Sequence, residues 1–115
     1  MIVVVTGGRD HDVTADEAAR FAFLMPGVSE LRHGGARGVD RWAADRAHQL
    51  GVIVVEWPAD WQRNGPGAGP VRNLAMLLGP PRADMLIAFP GGLGTANCVR
   101  TAHRLGIEVQ MVGAP

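Results

Sequence analysis

The stretch Ile2-Val-Val-Val-Thr6-Gly7-Gly8 decides the fold. A short run of β-branched residues ended by two glycines is typical of a buried strand that leads into a turn. Four further segments also predict strands, at residues 28–33, 52–57, 85–89 and 107–112, and the segment 28–33 has the weakest pattern of the four. The sequence therefore predicts five strands.

Helical patterns separate these strands, and capping or breaking residues mark their ends. The first begins at the capping box Thr14-Ala-Asp-Glu17, and Thr95 is the expected N-cap of the last. The helices are expected at residues 14–25, 39–50, 70–78 and 95–105, with a long loop at 58–67. The buried face of the third helix is expected to consist of Val71, Leu74, Ala75 and Leu78.

Strands and helices that alternate in this way are typical of a parallel sheet covered by helices on both faces. We therefore predict the α/β fold class. Specifically, we expect a single Rossmann-like three-layer domain over residues 1–115, with a mainly parallel five-stranded sheet. In open sheets of this kind, ligands bind beyond the carboxyl ends of the strands.

The composition excludes several classes of protein. The chain has 115 residues with eleven arginines and no lysine, and eleven acidic residues bring the formal net charge to zero. Without lysine there is neither Schiff-base chemistry on a lysine nor a P-loop. Neutral net charge gives no general attraction to nucleic acid or anionic lipid. With 47% hydrophobic residues, the chain is not of the disordered kind.

The sequence contains no pattern typical of a disulfide framework, a metal site or a membrane span. The single Cys98 excludes an internal disulfide framework and a Cys-rich zinc site. No spacing of His, Asp and Glu resembles a metal site, so we expect no metal and no cofactor. The first residues lack the features of a signal peptide, and no apolar run approaches the ~20 residues that span a bilayer. A cytoplasmic protein without a membrane partner is expected.

Glycine-rich turns follow three of the predicted strands, and charged side chains lie beside them. Glycine lets the backbone approach a ligand, helix N-termini attract anions, and arginine suits bidentate contact with phosphate. Because the carboxyl ends of parallel strands share one edge, these turns are expected to converge. The predicted phosphate or nucleotide pocket contains Thr6, Gly7, Gly8, Arg9, Asp10, Gly34, Gly35, Arg37, Gly38, Arg72, Pro90, Gly91, Gly92, Gly94 and Thr95.

Other side chains have two interpretations. His33 ends a predicted strand before two glycines and is a candidate ligand-binding residue. Trp57 and Trp61 flank Asp60, and one of the two tryptophans either stacks on a base or sugar or covers the edge of the sheet. Cys98 is expected to face the core and to be unreactive.

Five motifs, in order along nearly the whole chain, resemble the YspA-type branch of the SLOG superfamily, which also includes Smf/DprA and LOG proteins. They are Thr6-Gly-Gly-Arg-Asp10, His33-Gly-Gly-Ala-Arg-Gly-Val-Asp40, Ala59-Asp-Trp61, Ala68-Gly-Pro-Val-Arg-Asn73 and Phe89-Pro-Gly-Gly-Leu-Gly-Thr95. The resemblance implies a Rossmann-like fold that binds nucleotides or nucleotide-derived ligands. It also adds Asn73 and Trp61 to the expected site, while the branch itself has no firmly assigned activity.

The resemblance to LOG proteins implies an enzymatic activity as a second hypothesis. LOG enzymes hydrolyse the N-glycosidic bond of nucleoside 5′-monophosphates, with an acidic residue in Pro-Gly-Gly-x-Gly-Thr-x-x-Glu and an arginine on the preceding helix. Arg72 resembles that arginine, but Asn97 and Cys98 stand where LOG proteins carry acids. A carboxylate stabilises the oxocarbenium-like transition state, so hydrolysis would need Asp10, Asp40 or Asp60. The candidate catalytic residues are therefore Asp40, Asp60 and Arg72.

Three hypotheses follow. The leading one is a protein that binds or senses a nucleotide or a nucleotide-derived, phosphoribosyl small molecule. In it the glycines cradle phosphate, Arg9, Arg37 and Arg72 neutralise it, and Asp40 and Asp60 take ribose hydroxyls. The second is a LOG-like nucleoside-monophosphate N-glycosidase. The third and weakest is a DprA-like association with single-stranded DNA, against which the neutral charge and the lack of lysine argue.

The resemblance also bears on assembly. LOG-like relatives are commonly dimers, which implies a homo-oligomer here.

Overall fold

The strands and helices alternate as the sequence predicts. The structure, a computed structural model, describes residues 1–113, and the end of the predicted domain at 114–115 lies outside the described residues. In chain order the elements are β1 (Ile2–Thr6), α1 (Ala15–Leu24), β2 (Glu30–His33), α2 (Val39–Gln49), β3 (Ile53–Glu56), α3 (Trp61–Asn64), α4 (Ala68–Leu78), β4 (Met85–Ala88), α5 (Leu93–Leu105) and β5 (Glu108–Met111).

The strands form one five-stranded sheet in the order β3-β2-β1-β4-β5. Every neighbouring pair is parallel, with Val3 beside Leu31 on one side and beside Met85 on the other. The α/β fold with a Rossmann-like sheet is thereby confirmed. The strand order reverses between β1 and β4, so the crevice favoured for ligands lies beyond the carboxyl ends of these two strands.

Two apolar layers enclose the sheet because successive strand residues face opposite sides. Val3 and Val5 belong to a cluster with Phe21 of α1 and Val39 of α2. Val4, which lies between them, belongs to a second cluster that α4 and α5 supply with Met76, Leu77, Cys98 and Ala102. The sheet therefore has α1 and α2 on one face and α4 and α5 on the other. Among residues 1–113, no helix has the length and apolar character needed to cross a membrane.

Two local predictions are wrong. The segment 58–67 is not a plain loop, because Asp60 caps the short helix α3 and a 3₁₀ turn over Gly65–Gly67 leads directly into α4. Helix α4 begins at Ala68, so Pro70 lies in its first turn as expected. Thr95 lies in the first turn of α5 and is not its N-cap, which is Gly92.

The orientation of α4 is also different from the expectation. Val71, Leu74 and Leu78 are exposed, whereas Ala68, Met76 and Leu77 are buried. The helix has apolar residues on more than one side, so its own periodicity does not decide which side packs on the sheet. Contact with α5 and with Val4 of β1 turns Met76 and Leu77 inward.

Candidate functional site

Backbone contacts bring the first and last glycine turns together at the point where the strand order reverses. The amide of Gly8, after β1, donates to the carbonyl of Pro90, after β4, at 2.8 Å. Close packing explains the glycines. A Cβ on Gly7 would lie 2.6 Å from the Cβ of Val39, and a Cβ on Gly91 would lie 2.8 Å from the amide nitrogen of Gly8. The first and last of the three predicted turns therefore converge.

An open cavity of about 310 Å³ lies over these turns. The predicted site residues that line it are Thr6, Gly7, Gly8, Arg9, Asp40, Arg72, Asn73, Gly92, Gly94 and Thr95. Two lining residues were missed, Ala36 and Leu93. Their only signal in the sequence is their place inside glycine-rich turns, since neither side chain carries a polar group.

The N-terminus of α5 faces this cavity without a capping side chain. Its N-cap is Gly92, no side chain accepts a hydrogen bond there, and the first turn contains no acidic residue. The first turn of a helix has backbone N–H groups with no partner inside the helix, and the helix dipole adds a partial positive charge. Gly94 and Thr95 of this turn line the cavity. This end of the cavity is therefore suited to an anion.

The first turn of α2 differs from that of α5 because it contains an acidic side chain, that of Asp40. Asp40 is buried, and its Oδ2 accepts hydrogen bonds from the amides of Gly34 at 3.0 Å and Ala36 at 3.2 Å. Its Oδ1 makes no hydrogen bond to the described residues, although Asp40 lines the cavity. Burial raises the pKa of the Asp40 carboxyl, and the two amide hydrogen bonds oppose that rise in part. The free oxygen can accept a hydrogen bond from a ligand hydroxyl.

His33 and its neighbouring glycines shape the loop below Asp40. The Nδ1 of His33 accepts a hydrogen bond from the amide of Gly35 at 3.0 Å, and the ring is buried. Burial lowers the pKa of His33. His33, Gly34, Gly35 and Gly38 are not among the residues that line the cavity, and their contact with a ligand stays a prediction.

Arg72 of α4 reaches across the strand ends. Its Nη1 donates to the carbonyl oxygens of Gly34 at 2.8 Å and Trp57 at 3.3 Å, and its Nε donates to Oδ1 of Asn73 at 2.9 Å. Its Nη2 makes no hydrogen bond to the described residues, and Arg72 lines the cavity. The guanidinium is thus held in place by protein carbonyls, with one nitrogen left for a ligand.

Asn73 joins α4 to the first turn of α5. It is buried, and its Nδ2 donates to the carbonyl of Gly94 at 3.3 Å and to Oδ1 of Asn97 at 3.0 Å. Since its Oδ1 already accepts from Arg72, the amide group has a protein partner on both sides. Asn73 therefore fixes the relative positions of Arg72 and the N-terminus of α5.

The other two predicted arginines differ in their surroundings. Arg9 is exposed, lines the cavity, and makes no side-chain hydrogen bond or ion pair to the described residues. Arg37 instead forms an exposed ion pair with Asp10, with 2.6 Å between Nη2 and Oδ1. Neither Arg37 nor Asp10 lines this cavity, although Asp10, Pro90 and Gly91 line a neighbouring one of about 360 Å³ that shares Arg9.

Asp60 and Trp61 lie apart from the cavity lining. Oδ1 of Asp60 accepts a hydrogen bond from the amide of Arg63, which makes Asp60 the cap of α3. Trp61 is exposed at the start of that helix. The structure thus gives Asp60 a local capping role, and its contact with ribose stays a prediction.

Cys98 is buried in the core, as expected. Burial raises the pKa of its thiol to about 12, so the side chain is neutral at physiological pH. It therefore cannot supply the negative charge that LOG proteins carry at this part of the motif. Within residues 1–113, no group of three or more His, Cys, Asp or Glu side chains is placed to hold a metal ion.

Comparison with known proteins gives two similarities. The chain is 38% identical over 117 aligned positions to the Gene 61 protein of Mycobacterium phage D29, and the alignment covers 93% of this chain and 92% of that protein. The X-ray structure of TM1055 superposes with a TM-score of 0.72 at 21% sequence identity, covering 94% of this chain and 71% of that one. The second similarity shows the fold. No family model matches the chain.

Proposed function

Because the chain belongs to the family of the Gene 61 protein of Mycobacterium phage D29, whose name specifies no activity, we propose a function from the site itself. The protein binds a nucleotide or a nucleotide-derived, phosphoribosyl small molecule. The observation that carries this proposal is the uncapped, acid-free N-terminus of α5 at one cavity with Arg9 and Arg72. Backbone amides at a helix end and arginine side chains are the groups with which proteins hold phosphate.

The fold supports the same proposal. The likeness to TM1055 fits a distant LOG-like relationship, while membership of the YspA-type branch of the SLOG superfamily stays a prediction. The cytoplasmic location and the absence of nucleic-acid and membrane partners also stay predictions. Asp40, with a raised pKa and a free oxygen at the cavity, keeps N-glycosidic hydrolysis as the second candidate function.

Gly94→Asp tests the phosphate site with little disturbance of the fold. A Cβ at Gly94 would meet no atom within 4 Å, and an acidic residue in the first turn of a helix is favourable for the helix itself. Its carboxylate would repel a bound phosphate, so we expect the affinity for AMP to fall at least tenfold, or about 1.4 kcal/mol. Isothermal calorimetry measures this, and chromatography of the same mixtures is expected to show no released adenine.

Gly94→Asn is the matched control, since it adds the same bulk without the charge. We expect it to retain most of the affinity for AMP. Equal losses in the two variants would remove the electrostatic argument, and an unchanged affinity in both would remove the phosphate from this helix end. Turnover of AMP at ordinary enzyme rates, abolished by Asp40→Asn, would replace the binding function by the N-glycosidase.

We also propose that the protein is a homo-oligomer, with a contact through α4. Val71, Leu74 and Leu78 form an exposed apolar stripe, and Arg72 is the only charged residue of this helix. Leu74→Glu places a charge in the middle of the stripe, so it is expected to reduce the mass in solution to that of one chain. Light scattering checks this, with Phe23→Glu on the exposed side of α1 as a control. A monomeric parent protein would contradict the proposal.

A further inference from the structure

We propose that the cavity recognises the sugar phosphate of its ligand and makes no contact that distinguishes one base from another. Its ligand class is then pentose 5-phosphates, free or attached to any base. This inference rests on the proposed phosphate site and adds to it a statement about the rest of the ligand.

The residues that line the cavity include no aromatic side chain. Proteins commonly hold a base by stacking an aromatic ring on it, because every base presents an apolar π-face. Apart from glycine, the apolar residues of the lining are Ala36 and Leu93. Leu93 is 91% exposed at the start of α5, so it covers little of any ligand.

None of the three tryptophans lines the cavity, and two of them pack against other side chains. Trp42 packs edge-on against Phe21 and Phe89 in the core, with ring centroids 5.2 and 5.7 Å away. The guanidinium carbon of Arg32 lies 5.5 Å from the centroid of the Trp57 ring, and Trp57 packs against the second apolar cluster. Trp61 does not line the cavity. None of the three is in place to stack on a base bound there.

The free polar groups of the lining are poorly suited to distinguish one base edge from another. The two threonine hydroxyls can each donate or accept a hydrogen bond, and Oδ1 of Asp40 and Nη2 of Arg72 are assigned to the sugar phosphate. An amide side chain is well suited to read a base edge because it has both donor and acceptor atoms. Asn73 is the only such side chain in the lining, and both ends of its amide group already bond to protein atoms. Arg9 is exposed and no described side chain or carbonyl holds its guanidinium, so nothing fixes it for the two-point contact with guanine that would distinguish a base. Its contacts with a phosphate or with the face of any base do not distinguish one base from another.

The sugar phosphate, by contrast, has partners for its anion and for its hydroxyls. The N-terminus of α5, Arg9 and the free Nη2 of Arg72 can bind the phosphate, and Oδ1 of Asp40 can accept a hydrogen bond from a sugar hydroxyl. The cavity volume of about 310 Å³ lies at the lower end of the range for small-molecule sites, which is roughly 300–1,000 Å³. A small, polar, hydroxyl-bearing anion matches this cavity better than a ligand held by its base.

Calorimetry with ribose 5-phosphate, AMP, CMP and adenosine tests the inference. We expect the three phosphorylated ligands to bind within about threefold of one another and adenosine to bind at least tenfold more weakly. AMP binding more than tenfold tighter than both ribose 5-phosphate and CMP would overturn the inference and leave the phosphate site standing. Adenosine binding as tightly as AMP, or no binding by any phosphorylated ligand, would overturn both.

Asp40→Asn tests the sugar contact separately from the phosphate contact. Its amide oxygen can still accept the hydrogen bonds from Gly34 and Ala36, so the loop keeps its anchor. The variant loses the charge-assisted hydrogen bond to a sugar hydroxyl, and we expect ribose 5-phosphate to bind about tenfold more weakly. Inorganic phosphate is expected to bind no more weakly than to the parent protein, because a nearby negative charge has been removed. An unchanged affinity for ribose 5-phosphate would overturn the sugar contact, and an equal loss for both probes would point to damage of the phosphate site.

Discussion

Arg72→Ala is expected to weaken the binding of AMP by about 10- to 150-fold. The variant loses a charge-assisted hydrogen bond, whose loss costs about 1.5–3 kcal/mol. It also frees the carbonyl oxygens of Gly34 and Trp57, which Arg72 holds beside the cavity. Calorimetry with AMP measures the affinity, and denaturant unfolding of the same variant measures the accompanying loss of stability.

Two further variants separate the roles of Arg72. Arg72→Lys keeps the positive charge but cannot reproduce a planar guanidinium with three hydrogen bonds to the protein, so an intermediate affinity is expected. Arg100→Ala removes an exposed arginine of α5 that does not line the cavity, and it should leave the affinity unchanged. If Arg72→Ala binds AMP as the parent protein does, Arg72 is only a structural tether between α4 and the strand ends.

Gly38→Ala is expected to destabilise the protein by about 2–4 kcal/mol, the largest effect on stability proposed for the site. Gly38 precedes α2 with φ 80° and ψ −125°, a conformation that side-chain-bearing residues rarely adopt. The strain alone costs ~1–3 kcal/mol. A Cβ would in addition overlap the carbonyl oxygens of Gly8 and Arg9 and push the first glycine turn outward.

Gly67→Ala provides the matched control for this loss. Gly67 has φ −82°, and an added Cβ would meet no atom within 4 Å. The substitution is expected to be neutral or to stabilise by about 0.4–1 kcal/mol, because alanine has fewer conformations in the unfolded chain. Urea unfolding of the parent and both variants measures the difference. Similar stabilities for the Gly38→Ala and Gly67→Ala variants would show that the turn after β1 can move without cost.

Much of the fold follows from local signals in the chain. β1, β3 and β4 are short, mainly β-branched or apolar runs, as Ile2–Thr6 illustrates, whereas β2 and β5 contain several polar residues. The strands alternate with helical segments, of which the first is marked by the capping box at Thr14. Alternation of this kind leaves few topologies, because crossovers between parallel strands are right-handed and adjacent elements pack together. The same reasoning places the glycine turns at one edge of the sheet.

Only the tertiary structure decided how the side chains at that edge are used. In the sequence Asp40, Asp60 and Arg72 are equivalent candidates, because nothing local indicates their partners. In the fold Asp60 caps α3, Asp40 keeps one oxygen free, and Arg72 is tied to carbonyls that lie 15 and 38 residues away. Likewise, packing against α5 chose the buried side of α4 and left Leu74 exposed. Periodicity and capping act within a few residues, whereas the partners of a charged side chain depend on contacts between distant segments that form only when the sheet is assembled.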